Sequence, residues 1–144
     1  MQDDKTFIDT NILVYAYDNT AGQKHETAKR LVSDLWNSGL GVLSTQVLQE
    51  FFVSVTTKMP KPLNTKTAKE IVSDLLTWDV VVVDGQSVLN GVDIQLKYRY
   101  SFWDALIIEA ALKAGSPLLL TEDLSDGQVI QSMTIRNPFR SAVI

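Results

Sequence analysis

Short apolar runs alternate with longer amphipathic segments along this chain, and that alternation limits the folds open to it. Phe7-Ile8, Val42-Leu43, the four valines at 80–83, Leu118-Leu119-Leu120 and Met133-Thr134-Ile135 have the length and composition of strands. Between them, apolar residues recur at helical spacing over residues 24–37, 45–57, 65–78, 87–97 and 101–114. Strands separated by helices imply βαβ crossovers and a largely parallel sheet. The expected architecture is therefore α/β: a three-layer αβα sandwich around a mainly parallel sheet of four to five strands. At 144 residues the chain fits one domain, 1–144, with a single continuous core. The valine run reads as a strand covered on both faces, and residues 133–135 read as an edge strand.

Several chemistries are excluded at once. With no cysteine there is no disulfide, thiolate metal site or cysteine nucleophile. The one histidine, His25, stands between Lys24 and Glu26 and reads as a surface helix residue. No Gly-x-Ser-x-Gly elbow, P-loop or dinucleotide-binding glycine fingerprint is present. The amino terminus is polar and acidic, unlike a signal peptide, and the apolar runs are far too short to span a bilayer. The expectation is a cytoplasmic protein with no membrane partner. A net charge of −4 argues against non-specific nucleic-acid binding. It leaves room for a local basic strip, for which Lys58, Lys61, Lys66 and Lys69 are candidates; a solvated helix face is the plainer reading. Tyr98, Tyr100 and Phe102 could stack on bases or pack in the core.

Of seventeen acidic residues, four stand where chemistry could use them. Asp9 ends the first strand as Thr10 and Asn11, both good N-caps, open a helix; that places it at the carboxyl edge of a parallel sheet, where ligands bind. Glu50 sits beside Phe51 and Phe52, and a carboxylate among buried aromatics is costly unless paired or bound. Asp104 follows Ser101 in the manner of a capping box and lies about 180° around its helix from Lys113. That helix is apolar nearly all round, with Glu109 and Lys113 marking a solvent stripe. In Thr121-Glu122-Asp123-Leu124-Ser125-Asp126 a strand again runs into acid, with Asp123 and Asp126 both eligible. Each has a bland reading: turn residue, snorkelling glutamate, helix cap, solvated loop. Together they are less bland, because two carboxylates about 4 Å apart repel by about 4 kcal/mol at an effective dielectric of 20. No basic residue lies within three positions of Asp9 or Asp104. An all-oxygen site of this kind suits magnesium or manganese.

The stretches FIDTNILVYAYD, QEFF, SFWDALIIEAA and LLLTEDLSDGQ, in this order and spacing, resemble the signature stretches of the PIN domain family, and within it the VapC toxin ribonucleases of toxin–antitoxin pairs. The resemblance runs along almost the entire chain. It implies that Asp9, Glu50, Asp104 and Asp123 are the catalytic acids and metal ligands for Mg2+ or Mn2+, with Thr10 and Asn11 supporting the site and Thr121 lining it. It further implies endoribonuclease activity on RNA by metal-activated water, a cognate antitoxin protein that blocks the cleft, and a homodimer. Two other readings of the residues stand beside it. A phospho-acceptor signalling domain would need an acidic pair after the first strand and a lysine after a late one. A PIN-like module without activity would serve only to bind a partner.

Overall fold

The computed structural model describes residues 4–140. Residues 1–3, part of the terminus read above as unlike a signal peptide, and 141–144, the end of the expected domain, lie outside the described residues.

Six strands form one sheet: β1 (Thr6–Ile8), β2 (Gly41–Ser44), β3 (Asp79–Val81), β4 (Leu118–Leu120), β5 (Val129–Ile130) and β6 (Met133–Arg136), in the order β3-β2-β1-β4-β6-β5. Every pairing is parallel except β5 with β6. The two-residue β5 is the strand beyond the expected four to five. It pairs with β6 through a tight turn at Gln131, which has positive φ, so residues 133–135 lie inside the sheet and not at its edge. β1 is buried at all three positions, as expected of a central parallel strand whose two faces are both covered.

The helices are α1 (Thr10–Tyr17), α2 (Gln23–Ser38), α3 (Thr45–Val53), α4 (Thr65–Leu75), α5 (Gly85–Tyr98) and α6 (Phe102–Lys113). α1 packs on α2 and α3, while α5 and α6 pair with one another. Phe7, Ile8, Leu43, Phe51, Ile108 and Leu119 anchor the core between these layers. Ser44 caps α3 by accepting from the Val47 amide, and Ser101 caps α6 through the Asp104 amide, the latter as the sequence indicates. α1 is capped differently from expectation. The cap is Asp9 itself, whose carboxylate accepts from the Thr10 amide at 2.6 Å. α3 ends at Val53, short of residue 57, and continues as a π turn over Ser54–Lys58. There the Thr56 and Thr57 hydroxyls bond back to the carbonyls of Phe52 and Val53, the kind of local competition that loosens a regular helix.

Other expectations fail for tertiary reasons. The valine run is not covered on both faces: β3 is the sheet margin, and Val82 just beyond it is 61 % exposed. Glu109 is not on a solvent stripe. α5 docks over it, leaving it buried with Oε2 accepting from Asn90, while Lys113 pairs instead with Asp84. This close seam between α5 and α6 depends on Gly91, where a Cβ would approach Leu106 to 2.9 Å. Gly41 likewise admits the ring of Trp78, which a Cβ would meet at 2.3 Å.

Candidate active site

The chain runs outward from β1 through β2 to β3, then returns to lay β4 on the other side of β1. Strand order therefore reverses between β1 and β4, and the crevice at the carboxyl ends of two such strands is where an open α/β sheet binds ligands. Asp9 is the first residue after β1, and Thr121 and Asp123 follow β4. A cleft of about 660 Å³ opens there, lined by Asp9, Glu50, Asp104 and Asp123 together with Thr10, Asn11, Gln46 and Trp103. All four acids singled out in the sequence thus face one cleft.

A chain of hydrogen bonds fixes three of them. Asp9 is buried, with Oδ1 accepting from the Thr10 amide and Oδ2 from the Thr121 hydroxyl at 2.8 Å. The Thr10 hydroxyl donates to Glu50 Oε1 at 2.6 Å, and Gln46 Nε2 donates to Glu50 Oε2 at 3.1 Å. Asn11 Nδ2 donates to Asp123 Oδ2 at 2.8 Å, and the Asp123 amide donates to the Thr121 hydroxyl oxygen. Thr10, Asn11 and Thr121 thus orient the acids. Thr121 does so from behind, fully buried beneath Asp9 and outside the cleft wall. Asp104 stands in the first turn of α6, its backbone amide capped by the Ser101 hydroxyl at 3.1 Å.

The electrostatics follow from this crowding. Burial pushes the Asp9 carboxyl up to about 6; the bonds from Thr121 and Thr10 pull it down in part, and the charges of Glu50 and Asp123 push it up again. The Asp104 carboxyl is also raised, by burial first, against the lowering bond to Ser101, and then by the charges of Asp123 and Glu50. Lys58 is the only basic side chain lining the cleft among the described residues. Lys61, Lys66 and Lys69 are exposed and do not line it; Lys69 instead borders an apolar groove with Leu48, Phe52 and Val72.

Two residues the sequence reading passed over help to build the site. Gln46 is buried, ties Glu50 to the backbone carbonyl of Trp103, and leaves its own Oε1 without a partner. Its i,i+4 spacing from Glu50 was the available signal. Tyr15, at the rim, donates to Glu122, which also pairs with Lys24. Asp126 does not line the cleft: it accepts from the Asn137 amide. His25 is half-buried, its Nδ1 2.9 Å from the Tyr15 carbonyl. Tyr98 and Tyr100 pack against the core, and Tyr100 donates to Gln128. Where a phospho-acceptor domain needs a lysine after a late strand, β4 is followed by Thr121, bonded to Asp9.

The donor set fits a hard divalent cation. No histidine or cysteine lines the cleft, its acids offer only oxygen donors and repel one another, and the buried Gln46 Oε1 is orphaned. Among the described residues no three acids or histidines are gathered as a ready-made metal cage. Magnesium does not require one, since it is commonly bound by one or two carboxylates, waters and substrate phosphate oxygens.

A model of the PIN domain family matches residues 6–125. No curated protein matches significantly. Among solved structures, a toxin–antitoxin complex from Klebsiella pneumoniae is similar with a TM-score of 0.68 at 19% identity, covering 93% of this chain and 98% of that one. The DNA-bound VapBC of Salmonella typhimurium gives 0.63 at 17%, covering 93% and 98%. A VapC toxin of Mycobacterium tuberculosis, described as cleaving the sarcin–ricin loop, gives 0.61 at 20%, covering 80% and 87%. At these identities the likeness is one of fold. The matched segment, however, takes in β1 through the loop after β4, and with it all four acids of the cleft: this chain belongs to the PIN domain family.

Proposed function

We propose that this protein is a magnesium- or manganese-dependent endoribonuclease, the toxin of a toxin–antitoxin pair. The observation that carries the proposal is the cleft at the β1–β4 switch point, where Asp9, wired through Thr10 to Glu50 and through Thr121 to Asp123, shares a wall with Asp104. Asp9 and Asp104 would hold the cation, and Glu50 and Asp123 would complete the site. A bound divalent cation lowers the pKa of water and offsets charge building on a phosphoryl oxygen. The chain's own contribution is orientation. Thr10 and Gln46 hold both oxygens of Glu50, Asn11 holds Asp123, and Thr121 keeps Asp9 in the rotamer that faces the cleft. A carboxylate fixed in this way is placed to accept a proton from an attacking water.

The toxin part of the reading draws on the names of the structurally similar proteins, several of them complexes with antitoxins. No helix among the described residues is long and apolar enough to cross a membrane, which accords with a cytoplasmic site of action. A homodimer is part of the reading as well. On α5, Val88, Val92 and Leu96 recur every four residues, Leu89 stands beside them, and all four are exposed. An apolar stripe of this kind marks a docking surface. Leu96→Glu is expected to yield a monomer by light scattering where the unmodified protein gives a dimer; a monomeric unmodified protein would remove the dimer from the reading.

The deciding experiment incubates purified protein with RNA in magnesium, in manganese and in chelator. Cutting that stops in chelator and returns with either ion is the expected result. No cutting under any condition, from folded protein free of a co-purified inhibitor, would leave only the partner-binding module.

A further inference from the structure

The acidic cleft poses a problem that its own residues answer. Among the described residues its wall carries five carboxylates, Asp18 beside the four acids above, against one lysine, Lys58, and the protein as a whole is acidic. A polyanion gains little there from phosphate contacts. Affinity has to come from elsewhere, and the wall holds one unoccupied aromatic face. Trp103, next to Asp104 in the chain, is 64 % exposed. The other two tryptophans, Trp36 and Trp78, cover each other edge to face at 5.3 Å. Tyr15 lines the same cleft, but its hydroxyl is held by Glu122 and its ring packs at right angles to that of Phe139. Among the described residues the one ring packed on Trp103 is Phe102, tilted against it with centroids 5.4 Å apart.

The backbone that carries the ring is also held in place. The Trp103 carbonyl accepts from Gln46 Nε2 at 3.1 Å, and the same amide group donates to Glu50. Gln46 is buried, so the start of α6 and the Glu50 carboxylate are tied to one rigid point. An exposed aromatic ring carried on a fixed backbone beside a catalytic acid is a platform for a base, and base stacking tolerates sequence because every base has a π face.

We propose that Trp103 is the stacking platform of the cleft, taking an unpaired base next to the scissile phosphate and so setting that phosphate over Asp9 and Asp104. The proposal rests on the ribonuclease reading above and adds to it a residue that positions substrate. Gln46 supports the platform by holding its backbone.

The test compares unmodified protein, Trp103→Phe and Trp103→Ala in two assays. In steady-state cleavage of a short single-stranded RNA, Trp103→Ala is expected to raise KM about 10-fold with kcat changed little, and Trp103→Phe to recover most of the loss. Moving an abasic site along the RNA should reveal one position that weakens cleavage by the unmodified protein and has no effect in Trp103→Ala. In the second assay, chelator-treated protein is titrated with the same RNA while indole fluorescence is followed. Quenching is expected in the unmodified protein, absent in Trp103→Phe, and weaker with the abasic RNA. A KM within two-fold of unmodified for Trp103→Ala, with the abasic penalty intact, would overturn the platform and leave the nuclease standing. If the unmodified protein cuts nothing, the ribonuclease reading falls and the titration alone decides: base-dependent quenching keeps the stacking role, and its absence ends it.

Discussion

Asp104→Asn is expected to lower kcat for RNA cleavage by at least ~100-fold, about 2.7 kcal/mol of transition-state stabilisation, while the protein melts within a few degrees of the unmodified one. Asp104 has two possible duties on one helix turn, and they separate cleanly. As part of a cap it shares a hydrogen-bonded turn with Ser101, whose hydroxyl accepts from the Asp104 amide. As a catalytic acid it contributes negative charge to a cleft already crowded with Glu50 and Asp123. Asparagine keeps the amide that Ser101 caps and most of the side-chain shape, and removes only the charge. Ser101→Ala does the reverse. It should cost about 1 kcal/mol of stability through the lost cap and leave most of the cleavage in place. Circular dichroism melting and initial cleavage rates on both variants decide the matter. Full activity in Asp104→Asn would reduce the residue to a cap and sink its role as a metal ligand.

That separation could be framed from sequence because the site is written in local signals. An apolar strand running into Asp9, a capped helix opening at Ser101 and a strand running into Thr121-Glu122-Asp123 each place acid at the same sheet edge without any knowledge of the partners. Glu50 was readable from the cost of a carboxylate among aromatics. What stayed hidden depends on contacts distant in the chain. The valines at 80–83 have the composition of a central strand, yet strand composition does not say which strand ends the sheet, and β3 is the margin. A helical wheel set Glu109 opposite the core, but α5 covers that face and Asn90 meets the carboxylate. Trp103 reads as one more apolar residue of α6. Only the exposure of its ring within the cleft distinguishes it.

Asp9→Asn is expected to abolish cleavage and, in chelator at pH 7, to make the protein more stable. The carboxyl of Asp9 lies at about 6 in the folded protein against 3.8 for an unperturbed aspartate, chiefly because it is buried. Between those two values the folded state holds the proton more tightly than the unfolded state, so the stability of the metal-free protein falls as pH rises from about 4 to about 6. Above that range the full penalty applies, roughly 3 kcal/mol at 1.36 kcal/mol per pH unit. An amide carries no such penalty, but it accepts at one atom only, where Asp9 accepts from both the Thr10 amide and the Thr121 hydroxyl. One of those bonds must be lost or reversed, at a cost of about 1 kcal/mol. The net gain for the variant at pH 7 is therefore about 2 kcal/mol; it shrinks as pH falls towards 4 and reverses well below that, where the acid is neutral in both states and only the cost of the lost bond remains. Magnesium should reverse the ranking, since a ligand at 100 times its Kd stabilises the unmodified protein by about 2.7 kcal/mol and the variant by far less. Urea denaturation at pH 4 and pH 7, with chelator and with magnesium, reads all four corners. A variant less stable than the unmodified protein at pH 7 in chelator would mean that the hydrogen bonds of Asp9 outweigh its burial. The carboxylate would then be held by the fold itself, without the repulsion that gives a cation its hold on the site.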